Sequence, residues 1–233
     1  MSKRSTSIAP RIRKVVVLPD MQIPFHCKRS LAAVEQYLAD ETWDEWLCLG
    51  DFMDFDQLSK WSKGSPGKIN NRFLSEDYTI GNAILDRHQI AVRKRNKDAK
   101  FTFLLGNHDI RPEKYAQDYP QLKGTIEIEH GLQLERRDIK VNRSYPDGNI
   151  YKIGKAYFTH GTYTGLNSAR KHADNYGVNI FYGHVHSIES HAKMLWGKGK
   201  SIVGQSLGCL CEYNLSYIGH NPKNWAKAIT TFM

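Results

Sequence analysis

Aspartate, asparagine and histidine recur in five short blocks: Asp20-Met21-Gln22, Gly50-Asp51-Phe52-Met53-Asp54, Gly106-Asn107-His108-Asp109, His160-Gly161 and Gly183-His184-Val185-His186. Carboxylate, amide and imidazole donors of this kind suit divalent metal ions. The blocks are spread from residue 20 to residue 186, so they can act together only if the fold gathers them. Read as one set, they describe a two-metal centre.

The elements that must gather them are legible in the same stretches. Each block follows a short apolar run, VVVLP, WLCLG, FTFLLG, AYFT and NIFYG. Runs of this length, rich in Val, Phe and Tyr, read as buried strands. The blocks then lie at the carboxyl ends of strands, where open α/β sheets collect ligand sites. Strands are expected over 14–19, 45–50 and 100–105, with helices over 30–40, 55–61, 73–95 and 112–118. Residues 63–68 (KGSPGK) are the strongest breaker and predict a surface loop. From residue 139 the texture changes to short strands (IKVN, NIYKIG, KAYFTHG, VNIFYG, AKMLW, KSIVG, AITTF), with one helix over 168–176. Alternating β and α followed by a strand-rich half predicts two packed sheets flanked by helices. Splitting the chain would cut the ligand set apart. One domain over 14–233 behind a flexible basic arm over 1–13 is therefore expected.

In order and content the blocks resemble those of the calcineurin-like metallophosphoesterase superfamily: Asp-x-His, Gly-Asp-x-x-Asp, Gly-Asn-His-Asp/Glu, a lone His, then Gly-His-x-His. The resemblance covers roughly residues 14–186. It implies an α/β fold, a four-layer αββα sandwich of two mixed β-sheets flanked by helices. It also implies that Asp51 bridges two ions. One ion would take Asp20, Asp51 and His186, together with what Gln22 supplies; the other would take Asp51, Asn107, His160 and His184. His108 would lie beside the substrate phosphate as general acid or phosphate contact, and Asp109 would orient it. A hydroxide shared by the two ions would be the nucleophile. Asp54, His26 and Arg111 are further candidates for contacts to ligands or substrate: Asp54 as an acceptor or a helix cap, Arg111 as a phosphate contact or a carboxylate partner.

Two departures from the family pattern matter. Gln22 stands where a histidine is usual, and an amide oxygen is a harder, weaker donor than imidazole. A weaker first site is expected, favouring Mn²⁺ or Mg²⁺ over Zn²⁺, with Fe²⁺ and Ni²⁺ as other occupants; His26, four residues on, is placed to compensate. Phe55-Asp56 occupies the positions where protein Ser/Thr phosphatases of the superfamily carry Arg-Gly, which argues against a protein substrate. Gly208-Cys-Leu-Cys211, Tyr213 and Asn224-Trp225 are similar to small phage- and prophage-encoded members.

Composition narrows the function. The net charge of +9 is concentrated at the ends: residues 1–14 carry five Lys/Arg and no acid, while residues 15–186 hold 23 basic and 22 acidic side chains. Such ends either attract nucleic acid or act as solvated tails. Arg93, Lys94, Arg95 and Lys97 read as a complement to the dipole at the end of a helix. Trp196, Tyr213, Tyr217 and Trp225 read as core residues or as stacking surfaces for bases. Cys209 and Cys211 share a face on a strand. Without a second Cys or His pair nearby in sequence, they read as small residues filling a sheet rather than as a thiolate pair. Four cysteines in no disulfide-dense pattern fit a reducing, cytoplasmic setting (a host's, for a virus-encoded chain). No apolar stretch approaches the roughly 18 residues of a membrane span, and no secretory h-region follows the basic start. The expected activity is metal-dependent hydrolysis of a phosphate ester, a phosphodiester of DNA, RNA or a nucleotide first. A phosphomonoesterase and a non-catalytic scaffold of the same fold are the alternatives, and the sequence names no protein partner.

Overall fold

A computed structural model describes residues 12–59, 72–197, 199–213 and 223–233. The expected basic arm lies outside these residues except for its last two positions, and the 63–68 loop and Tyr217 lie wholly outside them.

Strand β1 (Val15–Leu18) shows why two sheets pack here. All four of its residues are buried, and successive side chains of a strand point to opposite faces. Val16 and Leu18 enter a core shared with Leu31, Val34, Leu38, Ile84 and Leu85 from helices α1 (Lys28–Asp40) and α2 (Leu74–Arg93). Val15 and Val17 enter the other core, with Leu47, Leu104, Phe158 and Leu207. A strand apolar on both faces needs a layer on each side, and the chain supplies helices on one and a second sheet on the other.

The first sheet contains β1, β2 (Glu45–Cys48), β3 (Lys100–Leu104), β4 (Ile139–Asn142) and β10 (Thr230–Phe232), in the order β10-β1-β2-β3-β4. Only β10 runs antiparallel. The second contains β5 (Tyr151–Ile153), β6 (Ala156–Thr159), β7 (Asn179–Tyr182), β8 (Ser190–Leu195) and β9 (Lys200–Ser206), ordered β5-β6-β7-β9-β8. Here β6, β7 and β9 are parallel, with β5 and β8 antiparallel at the edges. Helix α6 (Ser168–Tyr176) covers this sheet closely: a Cβ at Gly204 of β9 would run into the Ala169 carbonyl. The architecture is the expected four-layer αββα sandwich.

The remaining elements are short. Helix α3 (Arg111–Asp118) begins one residue before its expected start, with Pro112 in its first turn, where a missing N–H costs nothing. Among the described residues, a 3₁₀ turn, Asp56–Leu58, stands where the helix over 55–61 was expected, and residues 60 and 61 lie outside them. Helices α4 (Ile128–Gly131) and α5 (Ser144–Asp147) have no counterpart in the sequence reading. The basic cluster at the end of α2 is only in part a dipole complement. Arg95 donates to the Ala39 carbonyl of the neighbouring helix at 2.8 Å, and Arg93 lies over the Phe101 ring. None of the described helices is long and apolar enough to cross a membrane.

Helix α2 also buries His88 completely beside Trp46, with neither ring nitrogen hydrogen-bonded. Burial, aided by Arg87, lowers its pKa to about 3. In the unfolded chain the same ring titrates near 6.5. Its neutral form is therefore favoured by folding: stability is complete above the unfolded pKa and falls as the pH drops towards 3. Denaturant titrations should show the native chain losing about 2 kcal/mol more than His88→Leu between pH 7 and pH 5. An identical pH dependence in the two proteins would contradict this.

Candidate metal centre

The loops leaving β1, β2 and β3 meet those leaving β6 and β7, because the parallel strands of both sheets end on the same side of the molecule. Both Asp20 carboxylate oxygens accept the His184 N–H, each at 3.0 Å. That contact ties the first block to the fifth across the sandwich. The Gly183 N–H donates to the His160 carbonyl at 2.9 Å, joining the two histidine loops of the second sheet.

Glycine is required where these loops touch. A Cβ on Gly106 would collide with Asp51 Oδ1, and one on Gly183 would collide with Asp20 Oδ2. The ligand residues themselves are bent: Asp20, Gln22, Asp51, His184 and His186 all have positive φ, between 36° and 68°. For residues other than glycine this conformation costs on the order of 1–2 kcal/mol each, and Asp and His tolerate it better than most. Residue types chosen as donors are thus also those that make the sharpest exits from a strand.

Two ligand groups result. Asp51, His160 and His184 lie within 4.8 Å of one another, as do Asp20, Asp51 and His186, so Asp51 is common to both. In the first group, His160 Nδ1 sits 2.8 Å from the Leu49 carbonyl. It must carry a proton to donate there, which leaves Nε2 pointing at Asn107 Oδ1 (3.0 Å) and Asp51 Oδ1 (3.4 Å). In the second, His186 Nε2 lies 3.3 Å from Asp20 Oδ1. Gln22 Nε2 donates to Asp51 Oδ2 at 3.0 Å, and its buried Oε1 has no donor. Convergent lone pairs, buried carboxylates and an orphaned amide oxygen fit divalent cations.

The electrostatics agree. Burial alone would raise the Asp51 carboxyl, but His160 and His108 outweigh it and hold it well below the usual carboxylate range. Burial opposes protonation of His160 too, yet Asp51 and Asp20 bring its pKa up to about 9. His184 moves the other way, to about 4, through burial and the neighbouring His160. Protons stand in this cluster where cations would bind.

Beside the ligand groups, His108 Nδ1 lies 3.1 Å from the Asp54 carbonyl and 3.6 Å from its carboxylate. Arg111 reaches the same carbonyl with Nη1 (2.8 Å) and His108 Nε2 with Nη2 (3.1 Å). His108 and Arg111 keep 14% and 18% of their side chains exposed, and Asn107 and His184 are half-buried beside them.

Several expectations change. The Asp109 carboxylate does not serve His108: one oxygen accepts from Met53 N–H (3.1 Å) and the other from Gly106 N–H (2.9 Å), which braces the second block against the third. Burial and the nearby Asp51 push its pKa up to about 7. Asp54 holds the position beside His108 instead. His26 falls in neither ligand group; it faces Cys211 across an antiparallel bridge, near Lys28, Arg87 and Glu212, and does not replace Gln22. Trp196 is 96% exposed rather than core. Trp225 sets its ring edge-on against His186 with centroids 4.3 Å apart, and Tyr213 lies under Lys227.

Three supports escaped the sequence reading. The Leu49 carbonyl leaves no side-chain signal at all. Ser144 Oγ accepts the His160 N–H at 2.9 Å, and Tyr145 lies 5.9 Å from the His160 ring and 6.0 Å from that of His184. The Ser-Tyr-Pro-Asp sequence of α5, between the third and fourth blocks, was the one available cue.

Gly183→Ala is expected to displace Asp20 and lower the number of Mn²⁺ ions retained per chain, with secondary structure preserved. Metal analysis beside circular dichroism checks this; an unchanged metal content would refute it.

The family model for calcineurin-like phosphoesterases matches residues 13–188. The Gene 54 proteins of Mycobacterium phages L5 and D29 are 25% and 26% identical over 228 residues, covering 91% of this chain and 86% of each relative. Among solved structures, a Vps29 single mutant from Entamoeba histolytica aligns with a TM-score of 0.41 and 16% identity, over 90% of this chain and 81% of that one.

Proposed function

Since the chain belongs to the calcineurin-like phosphoesterase family, and so hydrolyses phosphate esters, we propose that its substrate is a phosphodiester of a nucleic acid or nucleotide. The observation that carries the reading is Asp51, shared by two ligand groups, with His108 and Arg111 on their accessible side. A scaffold would have no use for this set. The concentration of positive charge in the first 14 residues supports a polyanionic substrate.

Asp20, Asp51, His186 and Gln22 would hold one ion, and Asp51, Asn107, His160 and His184 the other. Mn²⁺ fits best, because Gln22 replaces an imidazole with a harder amide oxygen. When bound, such ions activate water near neutral pH and offset charge on the phosphoryl group. The remaining roles belong to side chains. Arg111 turns from His108 to the non-bridging phosphate oxygens, a bidentate charge-assisted contact. His108, freed of Arg111, directs Nε2 at the leaving oxygen and protonates it. Asp54 accepts from Nδ1 and keeps the ring in that orientation. Asp109 keeps the second and third loops in register.

Turnover with Mn²⁺ should be measured on aryl diesters, aryl monoesters, DNA and RNA. His108→Ala is expected to lower kcat about 10²–10⁴-fold on DNA. Aryl diesters should be affected far less, because their leaving groups depart without a proton. Arg111→Ala should act chiefly on KM. Preference for monoesters would displace the diester assignment, and no metal-dependent turnover on any of these substrates would overturn the whole reading.

The metal preference has its own test. Gln22→His supplies the missing imidazole at a backbone position that histidine tolerates. Zn²⁺ affinity, measured by competition with a chromophoric chelator, should rise relative to Mn²⁺. An unchanged ratio would show that residue 22 is not a ligand.

A further inference from the structure

We propose that Cys209, Cys211 and His186 form a separate binding site for a soft divalent ion such as Zn²⁺, on the face of His186 turned away from Asp20. The three ligand atoms lie within 4.8 Å of one another, and all three residues are buried. His186 presents Nε2 to Asp20 Oδ1 at 3.3 Å and Nδ1 to Cys211 Sγ at 3.7 Å. A tetrahedral ion with bonds of about 2.3 Å to sulfur and about 2.0 Å to nitrogen separates those ligand atoms by about 3.5 Å. The observed spacing is close to that of two ligands on one ion, and it equally lets Cys211 and His186 hydrogen-bond when no ion is bound.

The backbone fixes this arrangement from both sides. Leu210 N–H donates to the Asp20 carbonyl at 3.0 Å, and Cys209 N–H to the Ala226 carbonyl at 2.9 Å. Cys211 is bridged to His26, and Cys209 to Lys227. Cys209 and Cys211 sit in isolated bridges on either side of a bend at Leu210, which leaves their two sulfurs within 4.8 Å of each other. Trp225 covers the imidazole edge-on. Two thiolates and an imidazole select zinc or a similarly soft ion over Mn²⁺ or Mg²⁺, and a set of this kind leaves a fourth position for water. Binding releases the two thiol protons.

The consequence for the neighbouring centre rests on the assignment of His186 to the first ion. A neutral imidazole has one lone-pair nitrogen. With Nδ1 on the soft ion, Nε2 carries the proton and donates to Asp20, and His186 is withdrawn from the hard-metal centre. The two sites therefore compete for one ring.

Co²⁺ titration of the full chain tests the site without reference to turnover. A thiolate-to-cobalt charge-transfer band is expected in the near ultraviolet. It should be lost in both Cys209→Ser and Cys211→Ser and kept in Asn107→Ala, which touches only the other ligand group. In the native chain, Zn²⁺ should protect Cys209 and Cys211 from alkylation, a reading independent of how the variants fold. Absence of the band, its survival in either serine variant, or alkylation indifferent to Zn²⁺ would each overturn the proposal.

Discussion

One buried carboxylate sets the terms for the rest of the molecule. Asp51 is 1% exposed, belongs to both ligand groups, and takes the His108 N–H on one oxygen and the Gln22 amide on the other. A charge buried this deeply must be compensated nearby, and His160 and His108 supply most of that compensation. The geometry that brings compensation within reach needs both sheets. Three loops of the first carry carboxylates, amides and His108, while two loops of the second carry the remaining histidines.

Much of this was legible because each ligand follows an apolar run. The runs locate strand ends, and strand ends locate the site; for Asp20, Asp51, Asn107, His160, His184 and His186 the structure brings together what the spacing suggested. The failures have a common cause. Asp109 lies two residues past Asn107 in a turn whose side-chain directions depend on local φ and ψ, which residue order does not reveal. His26 lies four residues beyond Gln22, but the chain turns and pairs it with Cys211 instead. Helices α4 and α5 have four residues each, too few to show a 3.6-residue period. The partner of Cys209 and Cys211 was hidden by sequence distance, since His186 is brought to them by the C-terminal strands.

Strain and chemistry are concentrated in the same residues. The positive φ values at Asp20, Gln22, Asp51, His184 and His186 are sustained by contacts between loops: Asp20 with His184, and Gln22 with Asp51 through both backbone and side chain. Each bent residue is braced by another. The support is cooperative, so the five exits form one unit rather than five independent turns, as expected where a fold over-determines a costly conformation.

The pairing of β10 with β1 reaches beyond architecture. Val15 lies opposite Phe232, so the first strand made waits for the last. At typical synthesis rates of 5–20 residues per second the delay is roughly 10–40 s. Throughout it, a Val-rich edge with open N–H and C=O groups faces the cell, a template for pairing with another chain. The late arrival of β10 then closes that edge, and Leu210 on the Asp20 carbonyl seats the first ligand loop. Birth of the polypeptide and completion of its reactive centre are therefore separated in time, with the chain most vulnerable to aggregation in the interval.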